Sequence, residues 1–178
     1  MFFLLQSVPL SRIFTSTLQR TIQTALPISE ARKIPLEALT ELNEAKLGVF
    51  EGENKSDFSD DFSKKLYQSF LDDEINVVLP GGGENLKMVD KRIRAPVSKI
   101  LNAVKCSGHC LIVAHRNANK MIVKNLLGLS IEEGCKVEHH HNRLYIYAPE
   151  KEKIYFTAIP SAGEPIEIAH GYEEIECE

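Results

Sequence analysis

Three stretches carry residue types able to hold an anion or move a proton. In Cys110-Leu111-Ile112-Val113-Ala114-His115 an apolar run ends in a small residue and a histidine. That histidine reads equally as a satisfied core residue, a general base or an anion ligand; as imidazolium it donates from both ring nitrogens. In Thr15-Ser16-Thr17-Leu18-Gln19-Arg20 two hydroxyl residues precede a helix whose first turns hold Arg20. Helix N-termini attract anions, and arginine can grip an oxyanion bidentately; the plain alternative is a surface arginine. In Leu42-Asn43-Glu44-Ala45-Lys46-Leu47 the carboxyl of Glu44 lies among apolar residues in a non-repetitive segment. Partial desolvation there raises its pKa and suits it to general-acid work; the alternative is a solvated loop carboxylate.

These residues need elements to position them. A short apolar run bounded by turn-type residues predicts a buried parallel strand, after which Arg116–Asn119 lead into a helix from Lys120 to about Leu129. His115 then sits at the carboxyl end of a strand, the edge where open α/β sheets bind ligands. Arg12–Thr15 predicts a strand, followed by a helix from Ser16 and Thr17 to about Ala25, which Pro27 ends. Ile34–Ala38 predicts a second short strand. Ser56–Asp73 predicts an acidic amphipathic helix burying Phe58, Phe62, Leu66, Phe70 and Leu71. After the Pro80–Gly83 break a long helix, with apolar positions Leu86, Val89, Ile93, Val97, Ile100 and Leu101, runs to about Val104, and Pro96 predicts a kink or early end. Met1–Val8 reads as the tail of an amphipathic helix. Gly134 marks a turn, and Lys136–His141, Arg143–Ala148 and Lys153–Ala158 read as antiparallel strands. The order predicts a single domain over residues 1–178: three-layer α/β/α, a mostly parallel sheet with an antiparallel edge.

The 178 residues carry a net charge of −4 and a pI of about 5.9, so no global basic field draws the chain to nucleic acid or an acidic membrane. No stretch is long enough to span a bilayer. Cys106, Cys110, Cys135 and Cys177 match no zinc spacing and read as reduced thiols of a cytoplasmic protein. His139-His140-His141 reads as a surface or core-edge run rather than a metal site, because only His139 and His141 would share a strand face. Gly81-Gly82-Gly83 lacks the Lys-Ser/Thr of a P-loop. The acidic end, Glu173–Glu178, reads as a solvated tail.

Taken together, S-x-L-x-R-x-x-Q-T, L-N-E-x-x-x-G-x-F-E-G and A-H-x-N follow one another in an order that resembles the histidine phosphatase superfamily, the phosphoglycerate mutase-like fold. Gly83-Glu84-Asn85 followed by Arg92 is similar to that family's G-E-S…R helix start, and Asn117, Asn119 and Lys120 resemble its A-H-G-N-S-L-R region. The resemblance runs from about Leu5 to the end of the chain. It implies metal-free phosphoryl transfer through a phosphohistidine. Arg20 would be the second phosphate arginine, His115 the second histidine and Glu44 the proton donor, with Ser16 and Asn117 helping to bind substrate. It implies no cofactor and no metal. The partner is a small phosphorylated substrate, with no nucleic acid and no membrane, and a homodimer stays open.

The sequence also departs from the family pattern. No R-H-G occurs, so the attacking histidine and first arginine have no counterpart, and the first β-α unit is missing. Because that strand lies inside the sheet, its loss would leave backbone groups unpaired. The expectation is therefore a shortened form of a longer enzyme, with an inactive phosphate-binding scaffold as the rival. Arg116 replaces the small residue usual after the second histidine. The acidic stretch around Asp57, Asp60, Asp61, Asp72, Asp73 and Glu74 favours a phosphatase over a phosphoglycerate mutase, although Leu42-Asn43-Glu44 is mutase-like.

Overall fold

The computed structural model describes residues 5, 8–53, 58, 60–151, 153–159 and 173–174. Strands β1 (Leu10–Thr15), β2 (Leu36–Ala38) and β3 (His109–Val113) form a parallel sheet in the order β2-β1-β3. Around it lie helices α1 (Gln19–Arg32), α2 (Asp61–Asp72), α3 (Leu86–Ser107), α4 (Arg116–Leu127) and α5 (Ile131–Lys136). Strands β4 (Arg143–Ala148), β5 (Lys153–Ala158) and β6 (Glu173–Glu174) pair antiparallel. The antiparallel strands form a ladder of their own, with no pairing between β3 and β4 among the described residues.

Alternation along the strands explains the layers. Ile13 and Leu111 pack with Ala25 and Ile28 of α1. Phe14 and Ile112 face the other way, onto Val89 and Ile93 of α3 and Met121 of α4. A strand apolar on both sides must be covered on both sides, which makes the sheet the middle layer. Each fully buried side chain of this size contributes roughly 1.5–3 kcal/mol.

Neither of two prolines ends its helix. Helix α1 continues through Pro27 to Arg32 and closes on Lys33 in the left-handed region, φ 52°. Helix α3 runs unbroken through Pro96, whose side chain is buried. An interior proline costs about 3 kcal/mol. Ala25 and Ile28 on one side of the sheet, and Val97 and Ile100 on the other, bury surface enough to hold both helices through it. The N-cap also shifts: Leu18 opens α1, while Ser16 and Thr17 stay outside it.

Helix α2 begins at Asp61, with Asp60 as a true cap accepting from Ser63 N at 2.7 Å; residues 56, 57 and 59 of the expected helix lie outside the described set. Its buried face uses Tyr67 and Phe70 against Phe50 and Phe58, while Phe62 and Leu71 are exposed. Aromatic edge contacts to Phe50 and Phe58 turn Tyr67 inward.

Gly48, at φ 58°, locks the 48–50 turn against the Pro80–Gly83 turn: a Cβ there would lie 1.9 Å from Pro80 O. Gly134 is not a turn residue but sits inside α5, where a Cβ would meet Lys124 Cβ at 2.6 Å. It is small so that α5 can rest on α4. The Ser130–Glu133 capping box starts α5, and residues 137–140 are irregular, so the strand expected at Lys136–His141 is absent. Part of the expected solvated tail, Glu173–Glu174, pairs with Tyr155 and Phe156. The Met1–Val8 helix expectation lies mostly outside the described residues, although Arg32 ties down the carbonyls of Leu5 and Val8 at 2.8 Å each. Among the described residues no helix is long and apolar enough to cross a membrane.

Candidate active site

Parallel pairing of β1 with β3 brings the carboxyl ends of both strands together, with Ser16 N donating to Val113 O. Ser16 and His115 follow those ends. His115 is the N-cap of α4 and is 8% exposed; Ser16 is fully buried. Arg20 Nε donates to His115 Nδ1 at 3.1 Å, and His115 Nε2 lies 2.8 Å from Ser16 Oγ. A guanidinium only donates, so Nδ1 accepts, and Nε2 carries the proton and donates to Ser16. Ser16 Oγ also accepts from Leu18 N and meets Thr21 Oγ1 at 2.7 Å. Burial, then the charges of Arg20 and Arg92, push the His115 pKa down to about 4. The imidazole is thus neutral near pH 7, with one ring N–H to donate rather than the two of an imidazolium.

Glu44 reaches the same place from the other side. One of its oxygens accepts from Ala45 N at 2.9 Å and Asn117 N at 3.1 Å. Burial raises the Glu44 pKa above its ordinary value, against the pull of the Ala45, Asn117 and Ala118 N–H groups and of Arg20. The carboxyl therefore sits on the open N–H groups of α4, one turn from His115.

Two contacts hold the Glu44 loop. Asn43 Oδ1 accepts from Thr17 N and Thr17 Oγ1, both at 2.9 Å, joining it to the Ser16 loop. Arg92 of α3 pairs with Glu84 through Nε at 2.9 Å and Nη2 at 3.0 Å, and also donates to the carbonyls of Glu41 and Glu44. Burial alone would raise the Glu84 pKa, but Arg92 holds it below the ordinary value. Arg92 carried a family motif in the sequence; its grip on the backbone of the acid's loop is visible only in the fold.

The structure thus brings Arg20, Glu44, Ser16 and His115 together. Ser16 serves His115: its buried hydroxyl is engaged within the chain and is not offered to a ligand. The Asn117 side chain is buried, with Oδ1 unpartnered among the described residues; its backbone N–H, rather than its side chain, reaches the site. Arg20 is exposed, and its two Nη groups have no partner among the described residues. No group of three or more potential metal ligands occurs among the described residues, and Cys110 and Cys135 are free thiols. Arg116 turns to Glu74 at 3.0 Å, alongside Lys120 at 2.9 Å from the same carboxylate. Sequence reading missed that triad; the i, i+4 spacing of two cations on the helix after His115 was its only trace.

His115 and His139 share one property with a consequence for stability. Burial lowers each to about 4, whereas an unfolded chain protonates histidine near pH 6.5. Between those values the unfolded state binds more protons, so stability falls as pH drops from about 6.5 towards 4. Urea midpoints measured at pH 7.5, 6 and 5 should decrease in that order; a midpoint that rises on acidification contradicts the assignment.

The sequence model of the histidine phosphatase superfamily (branch 1) matches residues 3–160. The chain belongs to this superfamily, and its parallel sheet with antiparallel strands is phosphoglycerate mutase-like. It is 29% identical over 140 residues to the adenosylcobalamin/alpha-ribazole phosphatase of Salmonella typhimurium, covering 74% of this chain and 68% of that protein. It is 27% identical over 159 residues to a 2,3-bisphosphoglycerate-dependent phosphoglycerate mutase of Streptococcus pneumoniae, covering 74% and 69%. Among solved structures, the alpha-ribazole phosphatase of Shigella flexneri superposes with a TM-score of 0.68 at 19% identity, over 87% of this chain and 70% of that one. A mycobacterial glucosyl-3-phosphoglycerate phosphatase bound to inorganic phosphate gives 0.63 at 19%, over 83% and 69%. These two likenesses establish the fold.

Proposed function

We propose that the chain serves phosphoryl transfer of the histidine phosphatase type, hydrolysing a small phosphomonoester through a phosphohistidine. The observation that carries this reading is the placement of Arg20. Its Nε is anchored on His115 and its Nη groups have no partner among the described residues, in reach of the Glu44 charge at the N-terminus of α4. An incoming phosphate would take donors from the Nη groups of Arg20, and its charge would favour protonation of His115 Nδ1, turning that nitrogen from an acceptor into a second donor as charge develops. Glu44, kept protonated more readily by burial, would give its proton to the leaving oxygen as the P–O bond breaks. Water would then split the phosphorus–nitrogen bond. The attacking histidine is not among these 178 residues in this reading, and no residue is assigned to that step. Hydrolysis is favoured over mutase chemistry on the acidic composition of the stretch around Asp57, Asp60, Asp61, Asp72, Asp73 and Glu74.

The test is to express the coding sequence together with any in-frame sequence upstream and screen phosphomonoesters with and without EDTA. Phosphate release unaffected by EDTA, and lowered about 10²–10³-fold in His115→Ala, is expected. Strict dependence on a divalent metal, or full activity in His115→Ala, overturns the reading. A bisphosphate requirement with isomerised product would point to the mutase instead.

A further inference from the structure

One residue beyond His115, the molecule turns a second polar surface inward. A cavity of about 350 Å³ lies between α4, α5 and residues 137–140. That volume is at the lower end of small-molecule pockets. Its lining contains none of Arg20, Glu44 or His115; it includes Arg116, Lys120 and Lys136 as cations and His139 as an imidazole. Its one carboxylate, Glu138, is 81% exposed. Glu74 is shared between Arg116 and Lys120, so one positive charge is left over there. Arg116 uses Nη1 on Glu74, while its Nε and Nη2 have no partner among the described residues. Its side chain is 57% exposed, free to reorient its fork.

The histidine supplies the second observation. His139 packs its ring against Tyr145 at 4.7 Å between centroids, and its Nδ1 is buried with no hydrogen-bond partner among the described residues. A buried polar nitrogen left unpaired costs on the order of 1–3 kcal/mol. Burial, with Lys120 and His140 nearby, keeps the ring neutral. Nε2, the ring nitrogen that is neither buried nor bonded among the described residues, can carry the proton of the neutral ring and donate it to a ligand oxygen without a charge of its own.

We propose that this cavity is an anion site, taking a small molecule with a carboxylate or phosphate group held by Arg116, Lys136 and His139. The proposal does not depend on the phosphoryl-transfer reading, and binding tests it without turnover. The ¹⁵N-labelled chain is titrated at pH 7.5 with inorganic phosphate and, separately, with malonate, following the histidine ring signals. The His139 signals should shift saturably with at least one anion, and should do so equally in Arg20→Gln, which disables the other candidate phosphate site. Shifts with phosphate alone identify phosphate as the ligand chemistry; shifts with malonate alone identify carboxylate. In the Arg116→Gln/Lys136→Gln double variant the dissociation constant should rise at least about tenfold, as loss of charged hydrogen bonds predicts. Both cations are exposed, so this variant should keep the fold, checked by an unchanged amide fingerprint. His139 signals that ignore both anions, or that move identically in the double variant, overturn the proposal.

Discussion

Glu44→Gln is expected to slow hydrolysis of an alkyl phosphomonoester by the active enzyme about 10²–10⁴-fold, the usual worth of a positioned general acid. Glutamine keeps the shape and one acceptor oxygen for the Ala45 and Asn117 N–H groups, so the fold should survive. What it lacks is a proton to give. The acid must be protonated to act, and burial raises its pKa, so activity falls as pH rises through that value; the limb should vanish in the variant. An aryl phosphate, whose leaving oxygen needs no proton, should be slowed far less. Equal losses on alkyl and aryl substrates would show that Glu44 only shapes the pocket.

The largest effect on stability is expected at Glu74. Lys120 is 5% exposed and Glu74 8%, with 2.9 Å between them. Removing one partner of a buried pair leaves a charge without compensation, at about 3–5 kcal/mol. Glu74→Ala should therefore lower Tm by roughly 6–20 °C for a domain of this size. Adding Lys120→Met removes the stranded charge and should recover most of the loss, because apolar residues often replace buried pairs at little cost. Thermal unfolding of both variants decides it; a double variant no more stable than Glu74→Ala would locate the loss elsewhere.

What was legible in the sequence follows from how local each signal is. The apolar spacing of Leu86, Val89, Ile93, Val97, Ile100 and Leu101 predicts α3 and its buried face; the first five are buried and Leu101 is half-buried. The strand before His115 and the turn at Pro80–Gly83 were equally readable. Pro27 misled because local backbone preference lost to packing on the sheet. Gly134 misled because glycine serves close approach as well as turns. At the site, the residue types of Arg20, Glu44 and His115 were legible, and so was the raised pKa of Glu44. The protonation of His115 was not, since Arg20 occupies Nδ1 only once the chain is folded. Nor was the work of Arg92, whose carbonyl partners lie 51 and 48 positions away.

The separation of Ser16 and Arg20 from His115, 99 and 95 positions along the chain, also bears on how the molecule assembles. No local segment can make those bonds; they await the parallel docking of β1 beside β3. Long-range pairings of this kind carry the entropy of closing a large loop and come late and slowly in folding. The His115 ring is therefore a built-in reporter. Its signal should take its native position only when the sheet closes, after α1, α3 and α4 have gained their helical structure.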